Sequence, residues 1–168
     1  LKAGQSQTLT FFFGLGYEEV SAATSAKEML RQTYEVELER TSLWLKNRIN
    51  EFKSHKLSGI YNQNLFFCIF YSTGLTFDTE ERVLMTSRSP RYYVSAAYWD
   101  RDSMLWSFPA ILDVDSSLAK EALTYVFTSQ SKNIGVHSRY IDGSVLEPGF
   151  ELDELVAPII ALYSYVKK

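Results

Sequence analysis

Residues Trp99 to Ser129 read WDRDSMLWSFPAILDVDSSLAKEALTYVFTS. The two flanks of the short break "DVDSS" read as helices, one over about 99–112 and one over about 118–129. Asp113 and Asp115 fall in the break, where capping of the second helix accounts for them. A metal there would need more oxygen ligands than the break supplies. A tight helical hairpin is the unit from which the fold is read.

Outward from this hairpin the connections lengthen. Ser72 to Ala97 precedes it and Gln130 to Phe150 follows it, both read as irregular, and the second leads into a third helix over about 152–166. Loops beyond about 12–15 residues are uncommon in compact domains unless they carry function. If successive helices run antiparallel, both long stretches lie at one end, each leading into a helix N-terminus. That predicts a mainly α arrangement whose elaborated end holds the site.

Towards the N-terminus, "TLTFFFGLG", Thr8 to Gly16, is β-branched and aromatic and stops at glycines. It predicts one strand ending in a turn, the last of a sheet whose partners precede Leu1. The "GLG" lacks the third glycine and the Lys-Ser/Thr of a phosphate loop. Glu18 to Gln32 is helical in composition, and Thr33 separates it from a second helix, Tyr34 to Phe52. Val36, Leu38, Leu43, Leu45 and Ile49 give that helix only an approximate stripe, as in a connecting helix on a surface. The chain opens on Leu1, and its last apolar-periodic segment runs to Lys168, so it is expected to be a piece of a longer one.

The whole composition narrows the function. The 168 residues are 46% hydrophobic and 22% charged, with a formal net charge of -3. No Lys/Arg block supplies an electrostatic footprint, so nucleic acid is not an expected partner. Cys68 is the only cysteine, which rules out an internal disulfide and the CxxC pairs of structural zinc sites; it is expected to be a small core residue. The longest apolar run, Leu65 to Tyr71, falls far short of the roughly 20 residues that span a bilayer, and no signal-peptide pattern precedes it. The expectation is a soluble protein without membrane contact, cytoplasmic by default.

The charges gather at the elaborated end. Asp100, Arg101 and Asp102 stand in a row, walled by Tyr98, Trp99 and Trp106, where a solvated face would mix charges at helical spacing. Glu147, Glu151, Asp153 and Glu154 surround the start of the last helix in "LEPGFELDELVAP". Helix capping explains one carboxylate per helix; the surplus and the aromatic walls point to a polar ligand. Paired carboxylates in a cleft with Tyr and Trp are the chemistry of glycoside hydrolysis, one acid protonating the leaving oxygen while another group activates water or attacks the sugar. His137, in "GVHSRY", reads as a loop histidine bonded to backbone or touching substrate at the rim, since no Ser or Cys elbow accompanies it. His55 reads as solvated.

"SPRYYVSAAYWDRDSMLWSFPAIL" followed by "YIDGSVLEPGFELDELVAPIIAL" resembles the six-hairpin glycosidases of glycogen-debranching and glucoamylase type. The resemblance implies a mainly α fold, a partial (α/α)6 toroid of helical hairpins preceded by a strand left from an N-terminal β-sandwich and by linker helices. Residues 1–16 would end the sandwich, 17–56 link, and 57–168 form the first part of a truncated catalytic domain. The Trp-x-Arg-Asp segment is similar to the one that grips the terminal sugar in such enzymes. Asp102 would bind hydroxyls and Arg101 would orient them or a neighbouring carboxylate. Tyr98, Trp99, Trp106 and Glu147 would complete the sugar pocket. Asp153 matches the general acid best, with Glu151 and Glu154 as alternatives.

The same resemblance implies an inverting hydrolase of α-linked gluco-oligosaccharides or glycogen-like glucans, with no cofactor and no metal. Its general base, a Glu near the end of the toroid, has no counterpart here, so the chain alone is expected to be inactive. The rival expectations are a phosphorylase on the same toroid and a non-catalytic carbohydrate-binding module. An incomplete toroid would expose inner-helix faces and favour self-association.

Overall fold

The computed structural model describes residues 2–77, 79–86 and 97–168. Its described residues contain six α-helices and two small sheets, so the protein is mainly helical. The chain divides into two compact units, Leu1–Ile49 and Asn50–Lys168.

In the first unit, α1 (Glu19–Gln32) and α2 (Tyr34–Lys46) are parted at Thr33, whose φ of 65° is outside helical space. Neither helix buries a residue fully. The strand expected over Thr8–Gly16 does not form. Its glycines are not a turn: a Cβ on Gly14 would lie 1.9 Å from the carbonyl oxygen of Ala22, and one on Gly16 2.1 Å from Ser21 Oγ. The backbone therefore runs directly against α1, an approach open only to residues without a side chain. Leu9, Phe11, Phe13 and Leu15 are left exposed. The second helix stops at Lys46 instead of reaching Phe52.

The second unit opens with α3 (His55–Ser72), capped by the Ser54 side chain and taking in the whole apolar run. Cys68 in that run is only partly buried. An antiparallel hairpin follows, β1 (Thr73–Leu75) with β2 (Arg82–Leu84). The stretch "SPRYYVSA" at the front of the family resemblance lies outside the described residues. After β3 (Ala97–Tyr98) the expected first helix of the hairpin is present in two parts, a π-helix over Arg101–Ser107 and α4 (Phe108–Val114). Asp115 alone joins α4 to α5 (Ser116–Thr128), accepting from the Ser117 and Leu118 N–H groups at 3.0 and 3.1 Å. Asp113 does not cap; it accepts from the Tyr61 hydroxyl at 2.6 Å.

The second stretch read as irregular is also a correction. After a 3-10 turn (Ser131–Asn133) it carries β4 (Val136–Tyr140) and β5 (Val145–Phe150), which with β3 make an antiparallel sheet in the order β3-β4-β5. The Asp142-Gly143 pair turns the hairpin, with Gly143 at φ 84° and Asp142 Oδ1 accepting from the Ser144 N–H at 2.9 Å; such a pair is a strong hairpin signal. The last helix, α6 (Leu152–Lys167), starts one residue after β5 and Glu151. Phe108, Ile111 and Leu112 of α4, Ala122 and Val126 of α5, and Ala157 and Ala161 of α6 share one core with Ile69 and Leu84. That core holds the N-terminus of α6 beside the π-helix, which is where the charges meet. Among the described residues, no helix is long and apolar enough to cross a membrane.

Candidate active site

The site is built on a helix that does not cap itself. Asp is among the best N-cap residues, and Asp100 occupies the N-cap of the π-helix, yet its side chain makes no cap bond. Its carboxylate turns inward instead, accepting from the Tyr98 hydroxyl at 2.7 Å through Oδ1 and from Arg139 Nη2 through Oδ2. Asp100, Tyr98 and Arg139 are all fully buried. The free N–H of Arg101 is taken by Glu154 of α6, at 3.1 Å. One helix is thus capped by a carboxylate from another, 53 positions along the chain.

The Arg101 side chain then gathers the acidic residues. Its Nη1 donates to Asp153 Oδ2 at 2.9 Å and to Glu151 Oε2 at 3.0 Å; Nη2 lies 3.6 Å from Glu154 Oε1, and Nε 3.7 Å from Asp102 Oδ2. Arg101 and four carboxyl groups share one small volume, and the proton affinities of the three on and beside α6 separate. Arg101 holds the Asp153 carboxyl below its usual range. Glu151 is lowered first by its hydrogen bond to His137 and further by Arg101. Glu154 is raised to about 7, because burial penalises its charge more than the backbone N–H of Arg101 and the guanidinium favour it. Its Oε1 has no hydrogen-bond partner among the described residues.

A second layer lies on the sheet. His137 Nδ1 is 2.8 Å from Glu151 Oε1, and its Nε2 is 3.3 Å from Glu147 Oε2. Ser138, the next residue, also reaches Glu147 Oε2, at 3.3 Å. Adjacent strand residues ordinarily point to opposite faces; the irregular register of β4 against β5 after Val136 and again after Ser138 lets two in sequence reach one carboxylate. The Trp99 ring meets His137 edge-on, with centroids 6.0 Å apart.

Of the expected site residues, the sugar-binding Arg101, Asp102 and Glu147 and the general-acid candidates Asp153, Glu151 and Glu154 form one connected cluster, Glu147 being joined through His137. Trp106 stands on the π-helix and is 73% exposed, an open aromatic face. Tyr98 does not wall a cleft: its ring is buried and its hydroxyl is committed to Asp100. Trp99 is buried too, leaving an edge to His137. His137 is not a loop residue; it sits on β4 between two carboxylates. Sequence reasoning passed over Arg139 altogether, because "HSRY" was read as irregular; the Asp142-Gly143 turn was the available sign that it lies on a strand.

Among the described residues, no group of three or more His, Cys, Asp or Glu is arranged to hold a metal ion. The arrangement can bind hydroxyls through Asp102, Glu147 and Arg101, and it keeps one protonatable carboxyl beside two ionised ones. No protein-family model, curated protein or solved structure matches the chain.

Proposed function

We propose that the Arg101 cluster is the sugar-gripping part of an inverting α-glycosidase on an (α/α)6 toroid, with residues 57–168 as its first hairpins and α-linked gluco-oligosaccharides as its substrates. The observation that carries this reading is the opposed ionisation of neighbouring carboxyls on α6: Asp153 is held charged by Arg101, whereas Glu154 is raised to about 7. Titratable groups whose proton affinities are pushed apart mark the division between proton donor and charged partner. Arg101, Asp102 and Glu147 grip hydroxyls, and Trp106 offers a face to the sugar C–H surface.

The electrostatics move the proton from Asp153, the best match by resemblance, to Glu154. Glu154 lies buried beside a half-exposed guanidinium; a sugar that draws Arg101 outward would uncover it. A specific observation favours a second reading, a non-catalytic carbohydrate-binding module. Glu154 caps the π-helix and has no exposed surface, as a purely structural carboxyl would.

Sugar release from maltose, isomaltose and branched dextrin by the natural full-length protein, with and without phosphate, separates these. Release that falls about 10²–10⁴-fold in Glu154→Gln while sugar affinity is kept supports Glu154 as the acid. Release lost in Asp153→Asn and kept in Glu154→Gln returns the proton to Asp153. Sugar affinity without release selects the binding module, and release only with phosphate selects a phosphorylase.

A further inference from the structure

We propose, building on the reading of the Arg101 cluster as a sugar site, that Arg139 is its positioning residue: by holding the Asp100 carboxylate inward, Arg139 leaves the first turn of the π-helix to Glu154 and so fixes α6 against it. Among the described residues, Arg139 donates to Asp100 and Gln130, neither of which is on the cluster's open face. It acts through Asp100, the residue immediately before Arg101.

The geometry is that of a clamp held by the two terminal guanidinium nitrogens, while the buried Nε has no hydrogen-bond partner among the described residues. Arg139 is fully buried on β4, paired in register with Tyr98 of β3. Nη2 donates to Asp100, Nη1 donates to the Gln130 carbonyl at 2.9 Å, and the guanidinium lies over the Tyr98 ring, 5.0 Å from its centroid. Gln130 is itself buried, its amide donating to the Tyr125 hydroxyl at 2.7 Å and to the Tyr140 carbonyl at 3.0 Å. Tyr98 takes the other Asp100 oxygen. Arg cannot lose its proton in a protein, so the counter-charge is permanent, and its planar fork fixes direction as well as charge.

Without that fork the preference of Asp for its own helix N-terminus reasserts itself. The Asp100 carboxylate then turns to the Asp102 N–H, where its negative charge lies against Glu154 and loosens the Glu154 bond to the Arg101 N–H that sets Glu151 and Asp153 against the Arg101 side chain. A buried pair that served stability alone would make no such demand on Glu154.

The test is an NMR titration of the 168-residue chain, following the Glu154 side-chain carboxyl carbon, assigned by its absence in Glu154→Gln, and the Arg101 amide proton. Arg139→Met is expected to shift the Arg101 amide and to move the Glu154 titration midpoint by at least one unit, a tenfold change in proton affinity. Adding Asp100→Leu to Arg139→Met removes that carboxylate and is expected to restore both signals. An Arg101 amide and a Glu154 midpoint that stay put in a folded Arg139→Met chain overturn the proposal, as does a double variant that restores neither. If Arg139→Met does not fold, Arg139→Lys, which keeps charge without the fork, is expected to give the same displacement in part. Failure of both to fold overturns the proposal in favour of a structural pair. No sugar enters these measurements, so a protein that releases no sugar but shows the displacement and rescue refutes the glycosidase reading alone.

Discussion

Glu154 and Asp153 are neighbours in the chain with opposite proton affinities, and their pH dependences differ in sign. For Glu154 the unfolded carboxyl titrates near 4.5 and the folded one at about 7. Between those values the folded chain keeps a proton that the unfolded chain has released, so this contribution is fully present below about 4.5 and is lost as pH rises to about 7. The loss is roughly 3 kcal/mol, about 2.5 units at about 1.36 kcal/mol each. Glu154→Gln is expected to remove it, so that urea unfolding midpoints at about pH 5 and pH 8 lie closer together in the variant than in the wild type. Asp153 behaves the other way, stabilising above its unfolded value and losing that as pH falls. Arg101→Gln should raise the Asp153 titration midpoint clearly and that of Glu151 less, because His137 still bonds Glu151; carboxyl-carbon NMR reads both. The Trp-x-Arg-Asp segment and the acidic start of α6 were legible in the sequence. The difference between Asp153 and Glu154 was not, because it arises from how deeply a helix start is packed against a residue 52 and 53 positions away.

At the scale of elements, the helices other than α3 were legible; α3, read only as an apolar run over Leu65–Tyr71, and the sheets were not. The hairpin of α4 and α5 follows from its apolar residues and from Asp115, and the cap makes its own prediction: Asp115→Ala should cost about 1 kcal/mol, visible as a lower thermal midpoint. The β3-β4-β5 sheet was missed because β3 is two residues long and β4 alternates poorly, with Ser138 and Arg139 both buried. Its turn is nonetheless strict. A Cβ on Gly143 would lie 2.1 Å from the Ser129 carbonyl oxygen at a φ that side chains rarely adopt, and backbone cannot yield as a flexible side chain does. Gly143→Ala is expected to destabilise the second unit by more than about 1 kcal/mol in denaturant melts, beyond the usual range of glycine replacement. Because Gln130 and Arg139 hang from the same hairpin, the Arg101 amide should shift with it. "TLTFFFGLG" misled for the converse reason: its residues suit a strand, but Gly14 and Gly16 bring its backbone onto a helix.

The molecule as a whole carries its stability unevenly. Every residue of the buried core lies between Ile69 and Ala161, and the described residues of the first unit include none that is fully buried. Residues 50–168 produced alone should therefore keep the helical circular dichroism of their part of the chain and melt within a few degrees of the whole, a comparison that two thermal scans decide. The π-helix sits within that core. Its i→i+5 bond from the Phe108 N–H to the Ser103 carbonyl takes up one residue more than an α-helical turn. Each residue in an α-helix corresponds to about 100° of rotation, and the wide turn absorbs that advance, so deleting one residue there, Leu105 for example, is expected to tighten it to an α-helical turn and leave Arg101 and everything after Phe108 near their present bearings. The wide turn thus insulates the bearing of the site on its scaffold from a one-residue change in the length of the helix beneath it.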